Sequence, residues 1–211
     1  IYPGIDTTPL IDAPVAPGHI QAKPLRLLYF GNLVHHKGVH TAIEAVGVLK
    51  QQGLKNSVEL TILGSGHPTY EAQLHTLVEQ LDIKDRVRFV GKVPREEIPS
   101  WLKRFDVFLF TSIWPEPIAA TVMEAMAAGL LVIGTEVGGQ AEMLEHGQNA
   151  LTFKAGDAKS LAEQICSVTD ALHVRTQLAL AGQQLVLERF TLKRMVDEFE
   201  QYLANVVNCS I

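Results

Sequence analysis

Short runs of β-type apolar residues alternate along this chain with segments whose apolar residues recur at helical spacing, and no other feature restricts its folding as much. Residues 26–30, 58–63, 87–90, 107–110 and 130–133 read as strands. Between them Val39, Ala42, Ile43, Val46 and Leu49 share one helix face, ended by Gly53. Leu74, Leu77, Val78 and Leu81 repeat the pattern, as do Ile98, Trp101, Leu102 and Phe105. Strands apolar on both faces and separated by helices require a parallel sheet covered on both sides and joined by right-handed crossovers. The expected fold class is α/β, a Rossmann-like doubly wound parallel sheet. After residue 155 only helical patterns remain, at 158–171, 174–188 and 192–207.

Length and composition bound the rest. A chain of 211 residues, 47% hydrophobic, suffices for one buried core and is short for two ordinary domains. Residues 1–24 hold Pro3, Pro9, Pro14, Pro17 and Pro24 with little periodicity, so they read as a leader or interdomain connection and the folded body as starting near Leu25. The chain opens on Ile1 rather than methionine, which leads us to expect a piece of a longer protein. A formal charge of -5 without any basic run argues against nucleic acid or anionic lipid as a partner. Cys166 and Cys209 are the two cysteines, too few for a disulfide framework or a four-cysteine zinc site. With neither a basic-then-apolar leader nor an apolar run of membrane-spanning length, a cytoplasmic location is expected.

In doubly wound folds the ligand crevice lies beyond the carboxyl ends of the strands. Those loops read here Gly31-Asn32-Leu33-Val34-His35-His36-Lys37-Gly38, Gly64-Ser65-Gly66-His67, Gly91-Lys92-Val93-Pro94, Thr111 to Pro117, and Thr135-Glu136-Val137-Gly138-Gly139. Any one of these glycines is explained by a tight turn; together, on one edge, they favour a phosphorylated ligand that meets bare backbone and helix N-termini. Lys37 stands before a helix, where a cation is disfavoured by about 0.3 to 1 kcal/mol unless an anion joins it. His35-His36 is weighed as a metal pair and read instead as loop, because adjacent side chains point apart. Gly64-Ser65-Gly66 lacks the third glycine and acidic partner of a dinucleotide fingerprint, which disfavours a dehydrogenase.

The segment 118–129 is nearly all small or apolar, which predicts a buried helix with Glu124 in its middle. A carboxylate there needs good hydrogen bonds, either from a pair of sugar hydroxyls or from an internal Arg or Lys. Thr121 lies one turn nearer the helix start, and Glu116 precedes the helix at the crevice mouth.

Glu116 and Glu124, inside Trp114-Pro115-Glu116-Pro117 and Glu124-Ala125-Met126-Ala127-Ala128-Gly129, are separated by seven residues, and this resembles the E-x7-E signature of the group 1 retaining glycosyltransferases of GT-B fold. Lys37-Gly38, Gly64-Ser65-Gly66, Phe89-Val90-Gly91-Lys92-Val93 and Gly138-Gly139-Gln140-Ala141-Glu142 are similar to the family's other blocks, in the same order. The likeness runs from Leu25 to about Glu188, and Pro3-Gly4-Ile5-Asp6 is similar to the entry into the family's second domain.

The resemblance implies that residues 25–190 form the nucleotide-sugar-binding half of a GT-B protein. It implies that 191–211 is a helix packing on an N-terminal acceptor domain that is missing here, through which alone membrane contact would arise. It implies transfer of a hexose from a nucleoside diphosphate sugar, with UDP favoured, and no metal or cofactor. By it Lys37 holds the pyrophosphate, aided by Thr121 and the helix N–H groups; Glu124 binds ribose, Glu116 faces the hexose, and the base lies against Gly91, Lys92 and Val93. Gly31, Asn32, Gly64, Gly66, Ile118, Ala119 and Ala120 complete the implied donor site. Retention would follow from front-side attack on an oxocarbenium-like centre, and the isolated chain would bind donor without turnover.

Two positions depart from the family pattern. Asn32 stands where arginine is usual, removing a bidentate diphosphate contact, and Ile118-Ala119 replaces Phe-Gly, tightening the space beside the sugar. They motivate a rival reading, a nucleotide-binding module without catalysis; a second rival is a nucleotide-sugar epimerase, which needs no acceptor.

Overall fold

A computed structural model describes residues 1–11, 24–54 and 57–208. Residues 12–23 of the expected leader, and Cys209 with the last two residues, lie outside the described set. The strands are β1 (Leu25–Phe30), β2 (Val58–Leu63), β3 (Val87–Gly91), β4 (Val107–Phe110), β5 (Leu131–Gly134) and β6 (Leu151–Thr152), all parallel, in the order β3-β2-β1-β4-β5-β6. The helices are α1 (Thr8–Ile11), α2 (Val39–Gln51), α3 (Pro68–Gln80), α4 (Ile98–Leu102), α5 (Ala120–Ala127), α6 (Ala158–Thr169), α7 (Leu172–Arg189) and α8 (Leu192–Asn208).

The two-residue alternation of a strand sorts the apolar residues into two cores. Leu25, Leu27 and Tyr29 of β1 join Val107 and Leu109 of β4 in one, roofed by α2, α3 and α6. Leu28 and Phe30 join Phe108 and Phe110 in the other, against α5 and the end of α7. This two-sided burial is why β4 and β5 read as unbroken apolar runs, whereas β2, nearer the edge, alternates with an exposed Glu59. The order reverses between β1 and β4, so the loops following these two strands diverge and open a crevice at the switch point.

At the opposite edge Arg26 and Asp106 tie β1 to β4. The Arg26 backbone N–H and Nε both donate to Asp106 Oδ2, at 2.9 and 3.0 Å, and Nη2 donates to Oδ1 at 2.7 Å. The guanidinium of Arg175, held below its ordinary pKa chiefly by burial, donates to the carbonyls of Val168 and Thr169 at 2.8 and 2.9 Å. It thereby satisfies the last carbonyls of α6, where a cation also complements the helix dipole.

Three expectations need correction. The body does not begin at Leu25. The Ile5 N–H donates to the Phe190 carbonyl at 2.9 Å, the Leu192 N–H donates to Ile5 at 2.8 Å, and Ile5 and Leu10 are buried in the second core. Few apolar residues suffice to pin a short segment when each finds a preformed groove, which periodicity cannot reveal. The helix expected over 118–129 is shorter, because Ala119 is extended and Gly129, at φ +82°, closes the end in the left-handed region. The strand β6 is absent from the expectations, since two residues carry no period.

Candidate active site

The loop after β1 is laced to the loop after β4. Thr111 Oγ1 donates to the Lys37 carbonyl at 2.9 Å, and the Ile113 N–H donates to His36 at 2.9 Å. A Cβ on Gly38, whose φ is +67°, would strike the Thr111 carbonyl, so only glycine lets the two loops meet. This contact fixes Lys37 across from Glu116, and their side chains form an ion pair, Nζ to Oε2. The other Glu116 oxygen, Oε1, is buried with no hydrogen-bond partner. The main chain of Glu116 is held from a third loop, where the Gly139 N–H donates to its carbonyl at 2.9 Å.

Two adjoining cavities of 350 and 220 Å³ occupy the crevice and share Phe30, Gly31, Asn32 and Thr121. Lys37 lines the smaller; Gly64, Lys92, Val93, Ala120 and Glu124 line the larger. The N-cap residue of α5, Ala119, provides no side-chain cap, so the helix start beside Ala120 and Thr121 keeps N–H groups for an anion. The Glu124 side chain, 13% exposed, meets Arg95 with Oε1 and Nη2 3.0 Å apart. Burial raises the Glu124 carboxyl above the usual range, and the Arg95 charge opposes this only in part.

The site thus gathers most of the residues named from sequence, with exceptions; Glu116 itself lines neither cavity and is joined to the smaller one by its ion pair with Lys37. Gly66 lies outside both cavities; a Cβ there would strike the Leu33 carbonyl, so its bareness serves the packing of the β1 and β2 loops on each other. Gly91 also lies outside, although its carbonyl accepts from the Gly64 N–H at 2.8 Å. Ile118 and Ala119 line neither cavity and pack, partly buried, against the second core. Arg95 is the lining cation that the sequence reading does not name, and its sequence mark is its place in the loop after β3, one residue past Pro94. The His35 ring stacks on His40 with centroids 4.7 Å apart, and among the described residues no three His, Cys, Asp or Glu side chains gather as a metal site.

Residues 15–185 match the family model described as glycosyl transferases group 1. The chain belongs to the group 1 glycosyltransferases. An amylovoran biosynthesis glycosyltransferase of Erwinia amylovora is 41% identical to this group 1 chain over 145 residues, 66% of this chain and 35% of the relative. A glycogen synthase of Mycobacterium tuberculosis is 32% identical over 196 residues, 90% of this chain and 45% of the relative. The group 1 chain therefore spans less than half the length of these relatives. Among solved structures, Anabaena HepE in complex with UDP and glucose superposes with a TM-score of 0.85 at 25% identity, covering 97% of this chain and 56% of that one. A C-terminal domain of a group 1 protein from Francisella tularensis shares the fold at a TM-score of 0.77 and 24% identity, covering 90% of this chain and 100% of that one. Among the described residues no helix is long and apolar enough to cross a membrane.

Proposed function

We propose that this chain is the donor half of a retaining glycosyltransferase that moves a hexose from a nucleoside diphosphate sugar, UDP-linked, to an acceptor held by a second domain. The observation that carries the reading is the pairing at the switch point: two carboxylates, Glu116 and Glu124, each face a cation across one crevice that also contains the uncapped start of α5. The UDP and glucose bound to the Anabaena neighbour support the choice of donor.

In this reading the diphosphate sits at the α5 start, on Thr121 and Lys37, and takes Lys37 away from Glu116. The released Glu116, whose second oxygen already lacks a partner, accepts hexose hydroxyls, and Glu124 accepts the ribose diol. Lysine and helix N–H groups offset the charge that develops on the leaving diphosphate, so the reaction needs no metal. The acceptor attacks from the face the diphosphate leaves, which retains the anomeric configuration. Leu192, Val196, Phe199 and Leu203 of α8 recur at helical spacing and are between 42% and 52% exposed. The second domain covers that stripe, consistent with a chain less than half as long as its curated relatives.

Calorimetric titration with UDP, GDP and ADP, with NAD as control, tests the reading. Saturable binding of one diphosphate, weakened in Lys37→Ala and Glu124→Ala, is expected. Binding that ignores both substitutions refutes the site, and sugar transfer by this chain alone refutes the division of labour.

A further inference from the structure

Glu116 and Glu124 are held in the same way by cations from different strand-end loops. Lys37 comes from the loop after β1, and Arg95 from the 3₁₀ turn Arg95–Glu97 after β3. The two partners of the second pair differ in exposure, 84% for the Arg95 side chain against 13% for Glu124. A cation whose arm lies in water and whose tip rests on one carboxylate oxygen gives up little on being redirected.

Charge counting says where it would go. A nucleoside diphosphate esterified to a sugar brings about two negative charges, and Lys37 supplies one positive charge. Residue 32, which lines both cavities, is a neutral amide, and the remaining cations among the described lining residues are Lys92 and Arg95. Arg95 is anchored on Glu124, three residues beyond Thr121, which is about 4.5 Å along the axis of α5 from the phosphate end. Its planar fork of donors matches two phosphate oxygens as a lysine cannot.

We propose that Arg95 is a second diphosphate ligand, kept on Glu124 while the site is free and transferred to the phosphate oxygens when a nucleoside diphosphate binds. This rests on the donor-site reading above. Glu124 is then released to ribose by the same event that fills the phosphate site, so the two ends of the ligand cooperate. A nucleoside without phosphates must compete with Arg95 for Glu124, whereas its diphosphate removes the competitor.

The test compares whichever of UDP, GDP and ADP binds with its own nucleoside, on the unmodified chain, Arg95→Ala and Arg95→Lys, by calorimetry for the diphosphate and NMR shift titration for the nucleoside. Arg95→Ala is expected to weaken the diphosphate about tenfold while leaving the nucleoside unchanged or tighter, and Arg95→Lys to recover part of the diphosphate loss. Equal weakening of both ligands would make Arg95 only a support for Glu124, and an unchanged or tighter diphosphate would make it a bystander or a competitor; each overturns the proposal and leaves the donor site standing. If the unmodified chain binds none of the three diphosphates, the donor-site reading fails and takes this proposal with it. A single cooperative unfolding transition for Arg95→Ala shows that the variant is folded.

Discussion

The two edges of the sheet use the same currency in opposite ways. At the amino edge Arg26 and Asp106 close on each other through three hydrogen bonds, with Asp106 only 3% exposed. At the carboxyl edge Lys37–Glu116 and Arg95–Glu124 are each held by a single side-chain contact, Glu116 Oε1 is left buried without a partner, and cavities adjoin both. A pair with all its valences filled is part of the frame, while a pair with valences left over can be exchanged for a ligand. The difference lies in completeness and in burial, since Asp106 is 3% exposed whereas Glu116 and Glu124 are 17% and 13% exposed.

Breaking the closed pair has the largest expected effect. Asp106→Ala leaves the Arg26 fork without its acceptor and costs about 3 kcal/mol of stability, read by denaturant unfolding, with nucleotide affinity per folded molecule unchanged. If it changes affinity as much as stability, the edges are not separate. Next comes Lys37→Ala, which removes a charged hydrogen bond to the diphosphate and weakens UDP by about 2 kcal/mol, roughly thirtyfold, with little change in melting temperature. A large loss of stability with intact affinity would move Lys37 to the frame.

The open pair also carries a pH signature. Because burial outweighs Arg95 and raises the Glu124 carboxyl, the folded protein keeps this proton over a window where the unfolded chain has lost it. Stability contributed by this group therefore falls as pH rises from the ordinary glutamate range through the raised value. Glu124→Gln should then raise the melting temperature at pH 7 by about 2 °C while weakening UDP, a trade that a frame residue would not show. The smallest expected change is Asn32→Arg, which adds a cation to the crevice and tightens UDP a few-fold, by about 0.5 kcal/mol. Weaker binding would mean that residue 32 faces the sugar rather than the phosphates.

The same contrast explains what the sequence reveals. The parallel sheet is legible because two-sided burial writes β4 and β5 as continuous apolar runs, and the segments that follow β1 and β4 carry Lys37 and Glu116 in loops and Thr121 and Glu124 in α5. For Arg95 the sequence offers only a place in the loop after β3, because the contact that gives it a role spans 29 positions. Gly64 and Gly66 look alike in sequence and each lets the β2 loop approach a carbonyl of the β1 loop, Gly31 and Leu33 respectively, yet of the two only Gly64 lines the larger cavity. The docking of residues 2–10 is hidden likewise, because Ile5 finds its partners at Phe190 and Leu192.

A crystal structure of the chain with UDP would show which ion pairs the ligand exchanges. The diphosphate is expected at the start of α5 between Lys37 and Thr121, the ribose diol on Glu124, and both Lys37–Glu116 and Arg95–Glu124 opened while Arg26–Asp106 stays closed. UDP bound elsewhere, or in the crevice with both pairs intact, would contradict it.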